Sequence, residues 1–318
     1  MKILVTGGAG FIGRWVTKKI LDDGHEVVVL DNFSNGRPEN IKALKEDAGF
    51  IRFIEGDIKD NMLLARLFEA HRFSLCYHLA ASINVQDSID NPRGTFENDA
   101  IGTFNVLEQC RFYNCKLVYM STCMVYDKAE ENIDCGIDEK HPVKVASPYA
   151  GSKVAGENMV LSYWTAYRLP VVVVRPFNTY GPFQKTGGEG GVVAIFIKNE
   201  LGGENLRIYG DGRQTRDLLY VEDCAEFVVK AGYSDAVNGE ILNAGLGQDI
   251  DINSLACLIG GSASKIEHVE HIHPQSEIMK LLCNYQKAKE MLNWQPTVFI
   301  EEGVRRTREW IEGNSELM

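Results

Sequence analysis

The sequence contains no CxxC pair, no HExxH motif, no internal repeat and no low-complexity tract. Its eight cysteines are scattered, without metal-ligand spacing. They read as reduced thiols of a cytoplasmic protein rather than as a disulfide framework or a zinc site. His268, His271 and His273 cluster, but no cysteine or carboxylate pattern accompanies them, so a solvated loop is expected there and no metal. The longest apolar runs, such as Val171–Val174, are far too short to span a bilayer. A strand pattern begins at Lys2-Ile3-Leu4-Val5, which leaves no room for a signal peptide. Positive charge is also scarce: 33 Lys and Arg against 44 Asp and Glu give a net charge of −11. That balance argues against nucleic-acid and anionic-membrane partners, while leaving space for a local basic pocket that takes a small anion.

The remainder is ordinary for a soluble globular protein, with 45% hydrophobic and 24% charged residues. The 318 residues suffice for one large domain or two modest ones. Lys2–Val5, Glu26–Leu30, Ile51–Ile54, Leu75–His78 and Lys116–Met120 read as buried strands. Amphipathic stretches at Phe11–Leu21, Asn61–Ala70 and Thr95–Phe112 lie between them. Such alternation predicts an α/β fold with a doubly wound parallel sheet covered on both faces. A helix over Glu157–Tyr167 and a strand at Val171–Val174 continue the pattern. From about residue 176 the rhythm changes. The glycine-rich stretch 187–191 predicts a flexible loop, and a helix-like run follows at Val192–Leu201. A Rossmann-type domain over 1–175 and a smaller C-terminal lobe over 176–318 are expected, with an interleaved boundary.

Gly7, Gly10 and Gly13 follow the first strand directly and open a helix. Glycines in that context let the backbone at Gly7, Gly10, Phe11, Ile12 and Gly13 approach a pyrophosphate, where free amides and the helix dipole favour an anion. The spacing is GxxGxxG. Asp31, with Asn32 beside it, ends the second strand about 20 residues further on, where a carboxylate accepts from a ribose 2′-hydroxyl and repels a 2′-phosphate. NAD is therefore favoured over NADP. Asp57-Ile58, after the third strand, either holds the adenine or serves a loop turn. His78-Leu79-Ala80-Ala81 ends the fourth strand with residues small enough for close cofactor approach.

Tyr149 and Lys153 are four residues apart in Ser147-Pro148-Tyr149-Ala150-Gly151-Ser152-Lys153, one helical turn, and so share a face. An ammonium there is expected to lower the tyrosine pKa and let the phenolate take a proton from an alcohol while hydride leaves the same carbon.

Together with Asn98, Thr122, the Arg175–Pro182 segment and the Gly210–Asp217 segment, these residues appear in the order found in a known family. The chain resembles the extended short-chain dehydrogenase/reductases, specifically the NAD-dependent nucleotide-sugar epimerases and dehydratases, from Met1 to about Gly303. The resemblance implies that Tyr149 is the base, that Lys153 holds the nicotinamide ribose and that Thr122 binds the reacting hydroxyl. It also implies that Asn178 and Arg216 bind a nucleotide diphosphate sugar. A buried pyrophosphate needs a cation, and a guanidinium offers a forked donor. The alternatives are a turn cap for Asn178 and an ion pair with Asp217 or Glu222 for Arg216. The resemblance further implies a homodimer through two helices per subunit, with Thr95–Phe112 and Pro148–Tyr167 as candidates.

The departure lies in Thr122-Cys123-Met124. Sugar 4,6-dehydratases of the family carry Thr-Asp-Glu there, the aspartate as acid and the glutamate as base. Methionine cannot ionise, so Met124 is no base. Cys123 either packs inertly or serves as an acid. Another dehydratase type, acting at C5 and C6, carries Thr-Cys-Glu and matches only the cysteine. At the C-terminal end, 274–280 differs from the Arg-Pro-Gly-Asp type of many UDP-sugar epimerases, and Lys280 is the candidate replacement for an arginine. Val192 and the glycine loop before it are candidates to shape the sugar pocket. A C4 epimerase needs only Thr122, Tyr149, Lys153 and NAD, and is the favoured expectation. A 4,6- or 5,6-dehydratase using Cys123 is the alternative, and an NAD-sensing binding protein is the alternative of another class.

Overall fold

The computed structural model describes residues 1–128, 135–187, 191–261, 265–270 and 278–314. Seven strands form one parallel sheet: β1 (Lys2–Thr6), β2 (Glu26–Asp31), β3 (Phe50–Glu55), β4 (Leu75–His78), β5 (Lys116–Met120), β6 (Val171–Pro176) and, from later in the chain, Ile241–Ala244. Between them in sequence lie β7 (Asn178–Tyr180), β8 (Leu206–Tyr209) and β9 (Thr215–Tyr220), which makes Ile241–Ala244 β10. The sheet order is β10-β6-β5-β4-β1-β2-β3.

Period-two patterning explains why helices cover both faces. Ile3, Val5, Val27, Val29, Val118, Val172 and Val174 are buried on one face, against the helices Phe11–Asp22 and Val221–Tyr233. Leu4, Val28, Leu30, Leu117, Val171 and Val173 are buried on the other, against the helices Asn61–His71, Gly102–Tyr113 and Pro148–Tyr167. This is the Rossmann-type doubly wound sheet that the alternation predicts. Two expectations need correction. Ile51–Ile54 is not a buried strand, because β3 is the edge of the sheet and Ile51 is 44% exposed. Thr95–Phe112 is not one regular helix: Pro92–Phe96 passes through a π turn at Glu97–Ile101 before the α-helix resumes.

The smaller part gathers around β9, which pairs with β7, with β11 (Asp249–Asp251) and with β13 (Lys280–Leu281). A separate ribbon pairs β8 with β12 (Ile266–Val269). Its core packs Val193, Phe196 and Ile197 of the helix Val192–Leu201 against Leu206, Leu255 and the helix Ile300–Gly313. The expected boundary at 175/176 falls at the end of β6, and β10 lies beyond it in sequence yet within the large sheet. Asp223, buried at the start of the helix Val221–Tyr233, accepts from Thr297 N, Thr297 Oγ1 and Val298 N. That carboxylate ties the C-terminal segment to the sheet's covering helix.

His268 lies in β12, its Nδ1 2.9 Å from the Gly210 carbonyl oxygen, rather than in a loop. His271, His273 and the stretches 188–190 and 274–277 are outside the described residues. Among the described residues no group of histidines, cysteines and carboxylates could hold a metal, and no helix is long and apolar enough to cross a membrane.

Candidate active site

The strand order reverses between β1 and β4, and ligands of open α/β sheets bind beyond the carboxyl ends of the strands at such a point. A cavity of about 310 Å³ opens there. The ends of β1, β2, β4, β5 and β6 all feed it, through Gly7, Asp31, Leu79, Ser121 and Phe177 respectively.

At one end of the cavity the glycine turn is required by packing. Gly7 has φ +73°, and a Cβ there would meet Ala80 N at 2.7 Å. A Cβ on Gly13 would stand 2.0 Å from the Gly7 carbonyl oxygen. The helix Phe11–Asp22 begins with no side-chain cap and no acidic residue in its first turn, and Gly10, Phe11, Ile12 and Gly13 line the cavity. Uncapped amides facing a cavity favour an anion. Asp31 is buried and turns both oxygens to work: Oδ2 accepts from Ala9 N at 2.9 Å and Oδ1 from Phe33 N at 2.8 Å. Burial raises its pKa, while the two amides pull it back. Asn32, Ile58, Leu79, Ala80, Ala81 and Asn98 line the same cavity. Asp57 does not. Its carboxylate accepts from Lys59 N and from Asn32 Nδ2, and pairs with Lys59 Nζ at 3.6 Å. These bonds serve the loop turn and join Asp57 to Asn32 of the cavity lining.

At the other end stand Thr122, Tyr149 and Lys153. Ser147 caps the helix Pro148–Tyr167 through Ala150 N, with Pro148 at the first position, so Tyr149 and Lys153 occupy its first two turns. All three side chains are 9% exposed or less. Burial and the negative charge of Asp99 raise the Tyr149 pKa well above its ordinary value, and the Thr122 hydroxyl pulls it back. The expected lowering by Lys153 is not found. Lys153 Nζ donates to the Met120 carbonyl oxygen at 3.0 Å, and burial depresses its own pKa. The ammonium is engaged instead by the carbonyl at the end of β5.

Cys123 lines the cavity in the short 3-10 turn Cys123–Val125 and is 3% exposed. Burial pushes its thiol up to about 12, with Arg216 pulling the other way. Met124 also lines the cavity. Among the described residues the only carboxylate in the lining is Asp31, beside the glycine turn rather than beside Tyr149. Asn178 lines the cavity with its Oδ1 buried and unpartnered, as does Gln184 with its Oε1. Two buried acceptors facing a cavity are costly unless a ligand's donors meet them. Asn178 lies in β7 rather than capping a turn.

Three candidate substrate residues stand outside this cavity lining. Arg216 donates from Nη1 to the carbonyls of Thr215 and Ile278, at 2.7 and 2.9 Å. Its neighbour Asp217 accepts from Leu246 N, Gly247 N and Cys283 N, and Glu222 pairs with Arg306 at 3.8 Å. Lys280 sits opposite Thr215 where β13 joins β9, and Val192 opens its helix against the small-lobe core. Asn35, Gly36 and Gln184 line the cavity without having been singled out from the sequence. Lys185 donates to Asn35 Oδ1, which brings the segment after Gly181 over the end of β2.

Comparison with known proteins gives a consistent picture. The model of the NAD dependent epimerase/dehydratase family matches residues 3–245. A UDP-glucose 4-epimerase of Mycolicibacterium smegmatis is 36% identical over 99% of this chain and 100% of its own length. Among solved structures, Pal from Bacillus thuringiensis is 68% identical, with TM-score 0.96 over 98% of this chain and 99% of that one. A UDP-glucose 4-epimerase of Thermotoga maritima, solved with UDP-glucose, is 34% identical, with TM-score 0.92 over 99% and 100%.

Proposed function

The chain belongs to the NAD dependent epimerase/dehydratase family, and from that premise we propose that it is a nucleotide-sugar epimerase inverting C4 through a transient 4-keto sugar. It is an enzyme, and its cofactor is NAD. The observation that carries the reading is the composition of the reactive end of the cavity among the described residues: a hydroxyl, a phenol, an ammonium, a thiol and a thioether, with no carboxylate in the described lining. Oxidation and reduction at one carbon need no more than that. Elimination of water needs a base for the carbon beside the ketone, and Met124 stands where one would be.

In this reading the uncapped amides at Gly10–Gly13 hold the pyrophosphate, Asp31 the adenosine ribose and Lys153 the nicotinamide ribose. When bound, NAD supplies the hydride acceptor for C4 and, in its oxidised ring, a positive charge that favours the Tyr149 phenolate. Thr122 orients the C4 hydroxyl, and Tyr149 takes its proton as the C4 hydride leaves. The ketone turns over in the pocket, hydride returns to the opposite face, and Tyr149 gives the proton back. Asn178 and Arg216 anchor the diphosphate, so only the sugar moves; Lys280 and Val192 flank that anchor.

The observation on Cys123 favours a second reading. A thiol held up to about 12 stays protonated near neutrality, so it can deliver a proton to a carbon beside a 4-ketone but is poorly placed to remove one. A stable 4-keto-6-deoxy product would form if a group outside the described lining took the C5 proton, Cys123 protonated the departing C6 hydroxyl so that it leaves as water, the hydride taken from C4 were delivered to C6, and C5 regained a proton. Products formed from a panel of UDP-, GDP-, CDP- and dTDP-sugars, followed by NMR and mass spectrometry, separate the two. Interconverting C4 epimers of unchanged mass support the first reading, and an accumulating 4-keto-6-deoxy or 5,6-unsaturated sugar overturns it.

A homodimer through the 92–113 segment and the helix Pro148–Tyr167 belongs to the same proposal. Ile101, Phe104 and Phe112 form an exposed apolar stripe at helical spacing, and Met159 and Tyr167 are exposed on the adjoining helix. A cytoplasmic location accords with eight free cysteines, two of them exposed.

A further inference from the structure

Helix irregularities concentrate at functional sites, and the π turn Glu97–Ile101 is one. It carries two consecutive polar side chains to different places. Asn98 lines the cavity. Asp99 goes beneath it and is 1% exposed. Its Oδ1 accepts from Ser82 N at 2.6 Å and from Asn98 Nδ2 at 3.0 Å, and its Oδ2 lies 3.2 Å from Ser152 Oγ, whose single proton it shares with the Tyr149 carbonyl oxygen at 2.7 Å. Ser82 belongs to the segment that leaves β4 past Ala80 and Ala81. Ser152 lies between Tyr149 and Lys153 on their helix. One buried carboxylate therefore bonds both walls of the reactive end of the cavity.

We propose that Asp99 is a positioning residue for the Tyr149–Lys153 pair, holding the β4 exit and the catalytic helix in register while its charge faces both the ammonium and the phenol. The inference rests on the oxidising role assigned to Tyr149 above, and it goes beyond that role by naming the group that sets it. The charged and titratable groups packed around the pair are Asp99 from the π turn, Tyr119 from β5, His78 from β4, Cys123 from the 3-10 turn, and Glu157 from the helix itself. His78 is buried between Thr6 and Thr103 with its pKa depressed to about 3, so it stays neutral near physiological pH. Tyr119 stays a neutral phenol, raised by burial. Glu157 is committed to Arg175 through both oxygens. Asp99 is left as the anion that acts on Tyr149 and, with Glu157, offsets the buried ammonium of Lys153. Burial works against its ionisation, while Lys153, Ser82, Asn98 and Ser152 favour it.

Asp99→Asn removes the charge and keeps the size. The Tyr149 phenol is titrated by ultraviolet difference spectroscopy, using Tyr149→Phe in each background to isolate its signal. The midpoint is expected to fall by about one pH unit in Asp99→Asn, the scale on which one nearby charge acts. An unchanged or higher midpoint overturns the proposal. Asp99→Ser carries the same expectation should the amide not be accommodated. Asp99→Glu retains the charge but lengthens the side chain. Its midpoint is expected to remain near that of the parent, while the rate at which a nucleotide sugar reduces the bound cofactor falls at least ten-fold, with retention of that rate also overturning the proposal. The phenol titration needs no turnover, so failure of the epimerase reading leaves it intact and its own failure is read separately.

Discussion

Lys153 Nζ is hydrogen-bonded to the carbonyl oxygen of Met120 at 3.0 Å, which fastens the catalytic helix to the carboxyl end of β5. The lysine thus orders the floor of the site. Tyr149 meets a raised barrier to ionisation, set chiefly by burial and Asp99 and eased by Thr122.

A base whose pKa is raised is deprotonated to a smaller degree at neutrality, so kcat/KM is expected to rise with pH from neutral into the alkaline range. Tyr149→Phe should lower kcat by about 10²–10⁴ and flatten that rise. A profile that falls over the same range would oppose the assignment of Tyr149 as base.

Glu157 and Arg175 form a buried two-pronged ion pair, at 2.8 and 2.5 Å, with side chains only 4% and 3% exposed. Ser121 donates to the same carboxylate, so the pair lies directly behind Thr122. Removing one partner strands a buried charge. Glu157→Gln is expected to cost about 3–5 kcal/mol of stability, read by chemical denaturation. A cost below about 1 kcal/mol would place the pair among interactions of surface strength.

Asp217 provides a test of pH-dependent stability. Burial raises its folded-state pKa to about 7 despite three backbone donors. Because the folded state then holds a proton that the unfolded state has released, the contribution of Asp217 to stability is present at pH below about 4 and is lost as pH rises toward about 7. Thermal melts of Asp217→Asn should therefore gain on the parent as pH increases across that window. A constant gap between the two melting curves would show that the three amides hold the carboxylate at its unfolded value.

Asp31 bridges Ala9 N and Phe33 N, so it shapes the turn as well as facing the cavity. Asp31→Asn is expected to weaken NAD binding by about ten-fold, the loss of one charged hydrogen bond, and to narrow the preference over NADP. Calorimetry with both nucleotides reads each effect, and unchanged NAD affinity would count against its contact with the ribose.

The exposed stripe Ile101, Phe104 and Phe112 predicts association. Phe104→Glu should shift light-scattering mass from dimer to monomer at micromolar concentration. A monomeric parent protein would remove the proposed interface.

Much of this site was legible because backbone requirements leave strong marks. Gly7 and Gly13 are where a Cβ would strike backbone, and Asp31 ends a strand at the expected distance. Tyr149 and Lys153 follow a Ser-Pro helix start that the sequence displays openly. Interactions between distant segments left no such mark. Periodicity does not reveal a π turn, so Asp99 passed unnoticed beside Asn98. Side-chain reach put Lys153 on Met120, and Asp57 makes local turn bonds that no motif announces. The latch from Lys185 to Asn35 joins residues far apart in sequence, with no motif to announce it.

The central claim is that the reaction opens and closes at C4 without proton exchange at the neighbouring carbon. The most direct measurement runs a C4-deuterated nucleotide sugar in ordinary water and an unlabelled one in deuterium oxide, with products read by NMR. The account predicts the C4 label retained at C4 of the epimer and no solvent deuterium at C5 or C6. Solvent deuterium at C5 or C6, or migration of the C4 label to C6, would contradict it.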